Sequence, residues 1–516
     1  MSYLHANYVE LSVFVLFFLL VTGVGFFAAR WRRGDMDELQ EWGLAGRRFG
    51  TLVTWFLVGG DFYTAYTIIA VPALVFGVGA LGFFALPYTI IVYPFVFLTM
   101  PRLWAVSSKH GYITPADFVR GRYGSHWLAL AVALTGILAT MPYIALQLVG
   151  IEVVLAKMGL AGNTPFLNDL PIIVAFIILA LYTYSSGLRA PALIALVKDV
   201  MIYIMVLAAV IYVPVKLGGY AHVFSVAGSA LALKSPKGFL ILQPQSFGAY
   251  ATLALGSALA AFMYPHIITS VLSSSSGRVI KRNAALLPAY TFLLGLIALL
   301  GYMAIAADVK TKTPNMVVPS LFAGIFPPWF AGFCFAAIVI GALVPAAIMS
   351  IAAANLYARN IYREYINPNA TPRQEAQTAK MASLVVKLGA LAFVLFFPLQ
   401  YAINLQLLGS IWILQTFPPL VFGLWKRRFH HRALLLGWAA GMILGTGMAV
   451  ALKMKGTVYP VTLFGKTYPV FAGLWALLLN LVICQLMTMI FDAMGMRRGS
   501  DQTIDSDYEE ADVAKV

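Results

Sequence analysis

The chain has 516 residues, 61% of them hydrophobic and only 11% charged, where a soluble chain of this size carries about a quarter charged residues. That balance excludes a soluble enzyme or binding domain and points to an all-α polytopic membrane protein. The formal charge of +15 would suggest nucleic acid in a soluble domain, but its placement along the chain has a membrane explanation, and no nucleic acid is expected.

Thirteen apolar spans are predicted, at about 8–29, 51–80, 82–104, 126–158, 171–187, 192–216, 246–275, 283–307, 319–358, 378–400, 402–424, 433–453 and 468–494. Span 1 is no secretory signal, since no basic residue precedes it and its basic flank follows it. Span 2 organises the rest. It is apolar enough to lie in a membrane, yet its centre reads Gly59-Gly60-Asp61-Phe62-Tyr63-Thr64. Each glycine costs roughly 1 kcal/mol of helix propensity and a mid-membrane Asp roughly 2.5–3.5 kcal/mol. Such a stretch is tolerated where broken backbone faces protein or a water-filled cavity, as in the substrate and ion sites of secondary transporters. The plainer reading is a glycine-packed helix contact in which Asp61 is merely paired.

Span 5 is short, and span 9 is over-long with Pro327-Pro328 near its start. Span 7 is interrupted at Gly256 and again at Met263-Tyr264-Pro265-His266. Laid over each other, spans 2–6 and 7–11 make two sets of five, with the interrupted spans at matching positions. Five is odd, so the second set is inverted, and paired broken helices in inverted halves point to a site near the bilayer midplane. Spans 1, 12 and 13 are peripheral. Of the 35 Lys and Arg residues, 25 fall in loops on one side, which predicts an outside N-terminus and a cytoplasmic C-terminus in a bacterial cytoplasmic membrane. Residues 1–494 form one transmembrane domain, with core repeats at about 51–216 and 246–424. The tail 495–516, acidic from Asp501 to Asp512, is expected to be a disordered cytoplasmic end. Cys334 and Cys484 lie in apolar segments, so neither a disulfide framework nor a metal cluster is indicated, and no cofactor or obligatory protein partner is inferred.

Several runs resemble the sodium:solute symporter family. They are Ala45-Gly46-Arg47-Arg48-Phe49-Gly50 leading into Gly59-Gly60-Asp61, Gly111-Tyr112-Ile113-Thr114-Pro115-Ala116-Asp117, Pro265-His266-Ile267, and Ala346-Ala347-Ile348-Met349-Ser350. Within that family, the runs Glu41 to Leu44, Gly60 to Thr67 and Ala139 to Gln147 are similar to bacterial monocarboxylate permeases. The resemblance implies the leucine-transporter fold with a five-plus-five inverted repeat. It also implies uptake of small carboxylates such as pyruvate, lactate and acetate, and in some relatives alanine. The family's sodium cage maps onto the carbonyls of Gly59, Phe62 and Ala347 and the hydroxyl of Ser350. Its second hydroxyl position is Ile351, which offers no oxygen. Span 6 carries Lys198-Asp199 where the family has a neutral residue before an acid. In proton-coupled relatives of this fold an ammonium takes the place of the sodium ion. Lys198 is therefore either a snorkelling end residue or a titrating group paired with Asp199 or Asp61, and the coupling ion is H⁺ or Na⁺.

For a small anion, the helix restarting after Gly60 offers free amides and a positive dipole end. Tyr63, Thr64, Tyr143, Gln147, Tyr264 and Gln415 add donors, while Asp61 binds a cation, caps the helix or is protonated with substrate. His266 is structural or functional, Phe62, Phe262 and Trp412 pack or gate, and Glu152 is interfacial. Ser270 stands where many relatives have arginine. The reading that results is a cation-coupled monocarboxylate symporter. The alternatives are a sodium-coupled symporter of another small solute, such as an amino acid, urea or a vitamin, and a transporter-fold membrane sensor. A channel would want charge rings or carbonyl filters, and an enzyme a nucleophile–base pair or metal cluster; neither pattern appears.

Overall fold

A computed structural model describes residues 7–28, 30–31, 34–160, 173–174, 177, 180–181, 183–234, 237–396 and 401–509. Part of span 5 (171–172, 175–176, 178–179 and 182), Arg32, Arg33, Glu510 and Asp512 lie outside these residues. Among the described residues, eight helices are long and apolar enough to cross a membrane, and two further pairs bend to make ten. Most run as predicted: Tyr8–Phe27, Ala85–His110, His126–Lys157, Arg189–Lys216, His431–Ala451 and Ala472–Ala493.

The centre of the bundle is Pro328–Tyr357, whose apolar window is wholly buried. Its run of Ala and Gly lets neighbours approach closely, as membrane helix contacts require. Tyr8–Phe27 leans on it so tightly that a Cβ at Gly332 would lie 2.2 Å from the Glu10 carbonyl oxygen. His126–Lys157, Arg189–Lys216, Pro265–Leu272 and Pro372–Phe396 also pack against it.

The interruptions fall where glycine and proline placed them. Span 2 is the helix Thr51–Gly60, an irregular stretch, and then Tyr66–Val78, which opens with a π-helical turn. Span 7 is Phe247–Ala261 and Pro265–Leu272 with its axis bent by 46°, and span 11 bends by 44° before Pro418. Three expectations need correction. Span 9 is two helices, because Pro327-Pro328 ends Val317–Ile325 and starts Pro328–Tyr357. The fold is not wholly helical: Val458–Leu463 pairs antiparallel with Lys466–Phe471, so the last helix starts at Ala472 rather than 468. Phe464 and Gly465 both take positive φ there, the backbone of a tight two-residue hairpin.

The third correction is the tail, which is docked and ordered from Asp501 to Glu509. Arg122 Nη1 donates to Asp501 at 2.8 Å and to Thr503 at 3.0 Å, and the Gln502 amide donates to the Gly121 carbonyl at 2.9 Å. His110 meets Asp507 at 2.8 Å. Tyr508 is buried beside Phe118, with the Arg102 and Arg122 guanidinium groups over its ring. The acidic residues thus face a basic cradle on the loop between spans 3 and 4. The quoted sequence runs prove to be clamps around the same face. Glu41 pairs with Arg48 and Arg189, and Asp117 caps Pro115–Tyr123 while accepting from Asn360 at 2.7 Å.

Candidate functional site

The break in span 2 is closed by short backbone turns. The Phe62 amide donates to the Gly59 carbonyl at 2.9 Å and the Tyr63 amide to the Gly60 carbonyl at 3.1 Å. Lys198, nine residues into Arg189–Lys216, reaches directly into this turn. Its Nζ donates to the Gly60 carbonyl at 2.6 Å and the Tyr63 carbonyl at 3.1 Å, and lies 3.0 Å from Asp199 Oδ1. Lys198 and Asp199 are fully buried. A snorkelling lysine would keep its head in water, so that reading is overturned.

Glycine makes the approach possible. A Cβ at Gly60 would stand 3.0 Å from Lys198 Nζ, and one at Gly59 would lie 2.3 Å from the Tyr290 ring. Tyr290 donates its hydroxyl to Asp199 Oδ2 at 2.8 Å, which fixes the carboxylate from the other side. Tyr63 belongs to this cluster too: its hydroxyl donates to the Tyr290 carbonyl and its ring packs on Tyr203 and Tyr290. A tyrosine in an apolar span reads as packing, which is why Tyr290 went unpredicted.

Asp61 faces the other broken helix. Ser270 of Pro265–Leu272 donates to its Oδ2 at 3.1 Å, and Oδ1 is buried with no hydrogen-bond partner among the described residues. Thr64 and Asp61 lie against Tyr143. The Tyr143 ring is 5.3 Å from both Tyr264 and His266, and Tyr264 donates its hydroxyl to the Gln406 carbonyl at 2.8 Å. His266 Nδ1 and the Tyr66 hydroxyl, the latter near Tyr88, are likewise buried without a hydrogen-bond partner among the described residues. Together with Asp61 Oδ1, Trp55 Nε1 and Ser257 Oγ they make five orphaned polar atoms on the two broken spans among the described residues, uncommon in a folded core, and mark a place for a polar ligand. Tyr66 sits within a quoted run, but its role was not legible beside so many packing aromatics.

Other expectations change. The amides of the restarting helix are not free: Thr67 Oγ1 accepts from Thr64 at 3.1 Å, Gln147 Oε1 from Ala65 at 3.0 Å, and Thr64 Oγ1 from Tyr66 at 3.0 Å. Gln147 therefore caps the restart. Gln415 is turned away from the break, accepting from Asn480 at 3.2 Å and crowding Gly441. Trp412 likewise bonds Thr446 on span 12. Ser350 donates to the Ala347 carbonyl at 2.8 Å and makes no hydrogen bond to Lys198 among the described residues, and the ammonium takes the carbonyls of Gly60 and Tyr63 rather than those of Gly59 and Phe62.

This geometry, two broken helices meeting around buried charges, is that of a carrier. Residues 42–445 match the model of the sodium:solute symporter family. The chain belongs to that family. It is a multi-span symporter, not an enzyme. The symporter is 56% identical over 488 residues to a monocarboxylate transport permease protein of Rhizobium johnstonii, covering 94% of this chain and 98% of the relative. It is 31% identical to YodF, an uncharacterized symporter of Bacillus subtilis, over 95% of each chain. Its fold matches a Na⁺-coupled sialic acid symporter solved in a substrate-bound outward-open state, with a TM-score of 0.74 at 15% identity over 94% of this chain and 98% of that one.

Proposed function

We propose that this symporter imports small monocarboxylates, such as pyruvate, lactate and acetate, across a bacterial cytoplasmic membrane, and that protons drive it through Lys198. The reading on substrate is supported by the permease named above, which matches over nearly its whole length. The reading on coupling is supported by one observation: the Lys198 ammonium holds the carbonyls of Gly60, where the first half of span 2 ends, and of Tyr63, within the break.

The residues present do not fit a sodium ion beside that ammonium. Ile351 supplies no oxygen, and an ammonium already holds carbonyls of the break, so a second cation nearby would be repelled. When protonated, Lys198 pins the turn and balances Asp199. When the proton leaves for the cytoplasm, Gly60 and Tyr63 lose a shared donor and the two halves of span 2 loosen, as alternating access requires. Asp61 sits toward the substrate side. In its acid form it can donate from Oδ1 to a carboxylate, and Tyr66, Tyr143 and His266 complete the polar lining around it. The excess of Lys and Arg in the loops of one side supports an N-terminus outside and a C-terminus inside. Counterflow of radiolabelled pyruvate in proteoliposomes tests the substrate: exchange competed by lactate and acetate is expected. Exchange indifferent to every monocarboxylate, but competed by an amino acid, would replace this reading.

A further inference from the structure

Lys387 lies outside all of this machinery. It sits on Pro372–Phe396, is 3% exposed, and its Nζ has no hydrogen-bond partner among the described residues. It lines a cavity of about 220 Å³ whose other lining residues are aliphatic, among them Leu148, Ile173, Ile177, Leu384, Leu388 and Leu391. Ile177 and Leu388 are more than half exposed on the outer, lipid-facing surface, so the cavity opens toward the bilayer. A buried amine with no counter-charge among the described residues, set in an otherwise aliphatic chamber, is a costly arrangement that an anion would relieve.

We propose that this cavity binds an aliphatic monocarboxylic acid, its chain along the leucines and isoleucines and its carboxyl on Lys387 Nζ. Depth selects the acid over a phospholipid headgroup. Lys387 is seven residues beyond Lys380, whose Nζ is 4.0 Å from the half-exposed Asp37 of the loop. At 1.5 Å per residue that sets it about 10 Å deeper, inside the hydrocarbon, where phosphate does not reach but a neutral carboxylic acid dissolves. On arrival the acid's O–H proton passes to the lone pair of Nζ. The products are a carboxylate and an ammonium held as an ion pair, and no further reactant is needed. A charge-assisted hydrogen bond of this kind is shorter and about twice as strong as a neutral one.

The test is photolabelling of the full-length protein in phosphatidylcholine nanodiscs with a diazirine analogue of decanoic acid. Label is expected on the peptides carrying Leu148 and Leu388, unaffected by excess pyruvate, so the result is separate from the central site. Lys387→Met should lower labelling about tenfold or more, the loss expected for a charged hydrogen bond. Leu388→Trp, which keeps the amine but fills the mouth, should lower it as well. The probe's methyl ester should label poorly. Equal labelling of Lys387→Met, equal labelling by the ester, or displacement by phosphatidylglycerol but not by decanoic acid would overturn the proposal.

Discussion

A side chain at Gly60 would crowd the Lys198 ammonium, which lies 3.0 Å from where its Cβ would stand. The Lys198–Asp199 pair is fully buried, so its members are coupled energetically. Lys198→Met leaves Asp199 with Tyr290 as its remaining partner and should cost about 3–5 kcal/mol of stability, the cost of stranding a buried charge. Adding Asp199→Asn should recover part of that loss, read as a rise in unfolding temperature in detergent. A double variant that melts below Lys198→Met would show that the two residues are not a charge pair. Asp61→Asn should reach the membrane yet fail to concentrate substrate, because the amide cannot release a proton; full accumulation would remove Asp61 from the coupling scheme. Gln147 caps the restart of span 2, so Gln147→Ala orphans the buried Ala65 amide. An orphaned amide costs about 1–3 kcal/mol of stability, so the variant should melt earlier in detergent, and the loosened restart should weaken the apparent affinity for pyruvate. An unchanged affinity would leave Gln147 a packing residue.

The broken helices were legible in the sequence because glycine, proline and a buried acid are hard to place in a membrane span otherwise. Lys198 was legible for the same reason, as an expensive residue where an apolar one would do. Its partners were not, since they depend on which backbone oxygens of the break point at span 6. Gln415 and Tyr63 misled because a donor in a helix faces one of several neighbours, and sequence spacing alone does not choose among them. The docked tail was missed because acidic composition reads as solvated, while its basic cradle lies almost 400 residues away. Burial pushes the Asp507 carboxyl up, but the Ile504 amide, His110 and Lys109 outweigh it and hold the group below its ordinary range. Its folded-state pKa is thus depressed, so the docking it supports is present above the ordinary carboxylate range and lost as pH falls through the lowered value. Tyr508→Ala should free the tail at neutral pH, seen as faster proteolytic clipping beyond Gly499; an unchanged clipping rate would mean Tyr508 does not anchor it.

Across the whole bundle, the buried Pro328–Tyr357 helix is an axis against which Pro265–Leu272 of the second broken span and span 6 pack. In the proposed scheme, a proton leaving Lys198 would change the contact between span 2 and span 6. Coupling through an ammonium instead of a metal ion is the central claim, and pyruvate uptake into sodium-free proteoliposomes under an imposed pH gradient, inside alkaline, tests it most directly. Wild type should accumulate pyruvate above equilibrium. Lys198→Met, and the double variant with Asp199→Asn, should lose accumulation under either gradient while retaining counterflow. Strict dependence on a sodium gradient, with Lys198→Met still concentrating pyruvate, would contradict it.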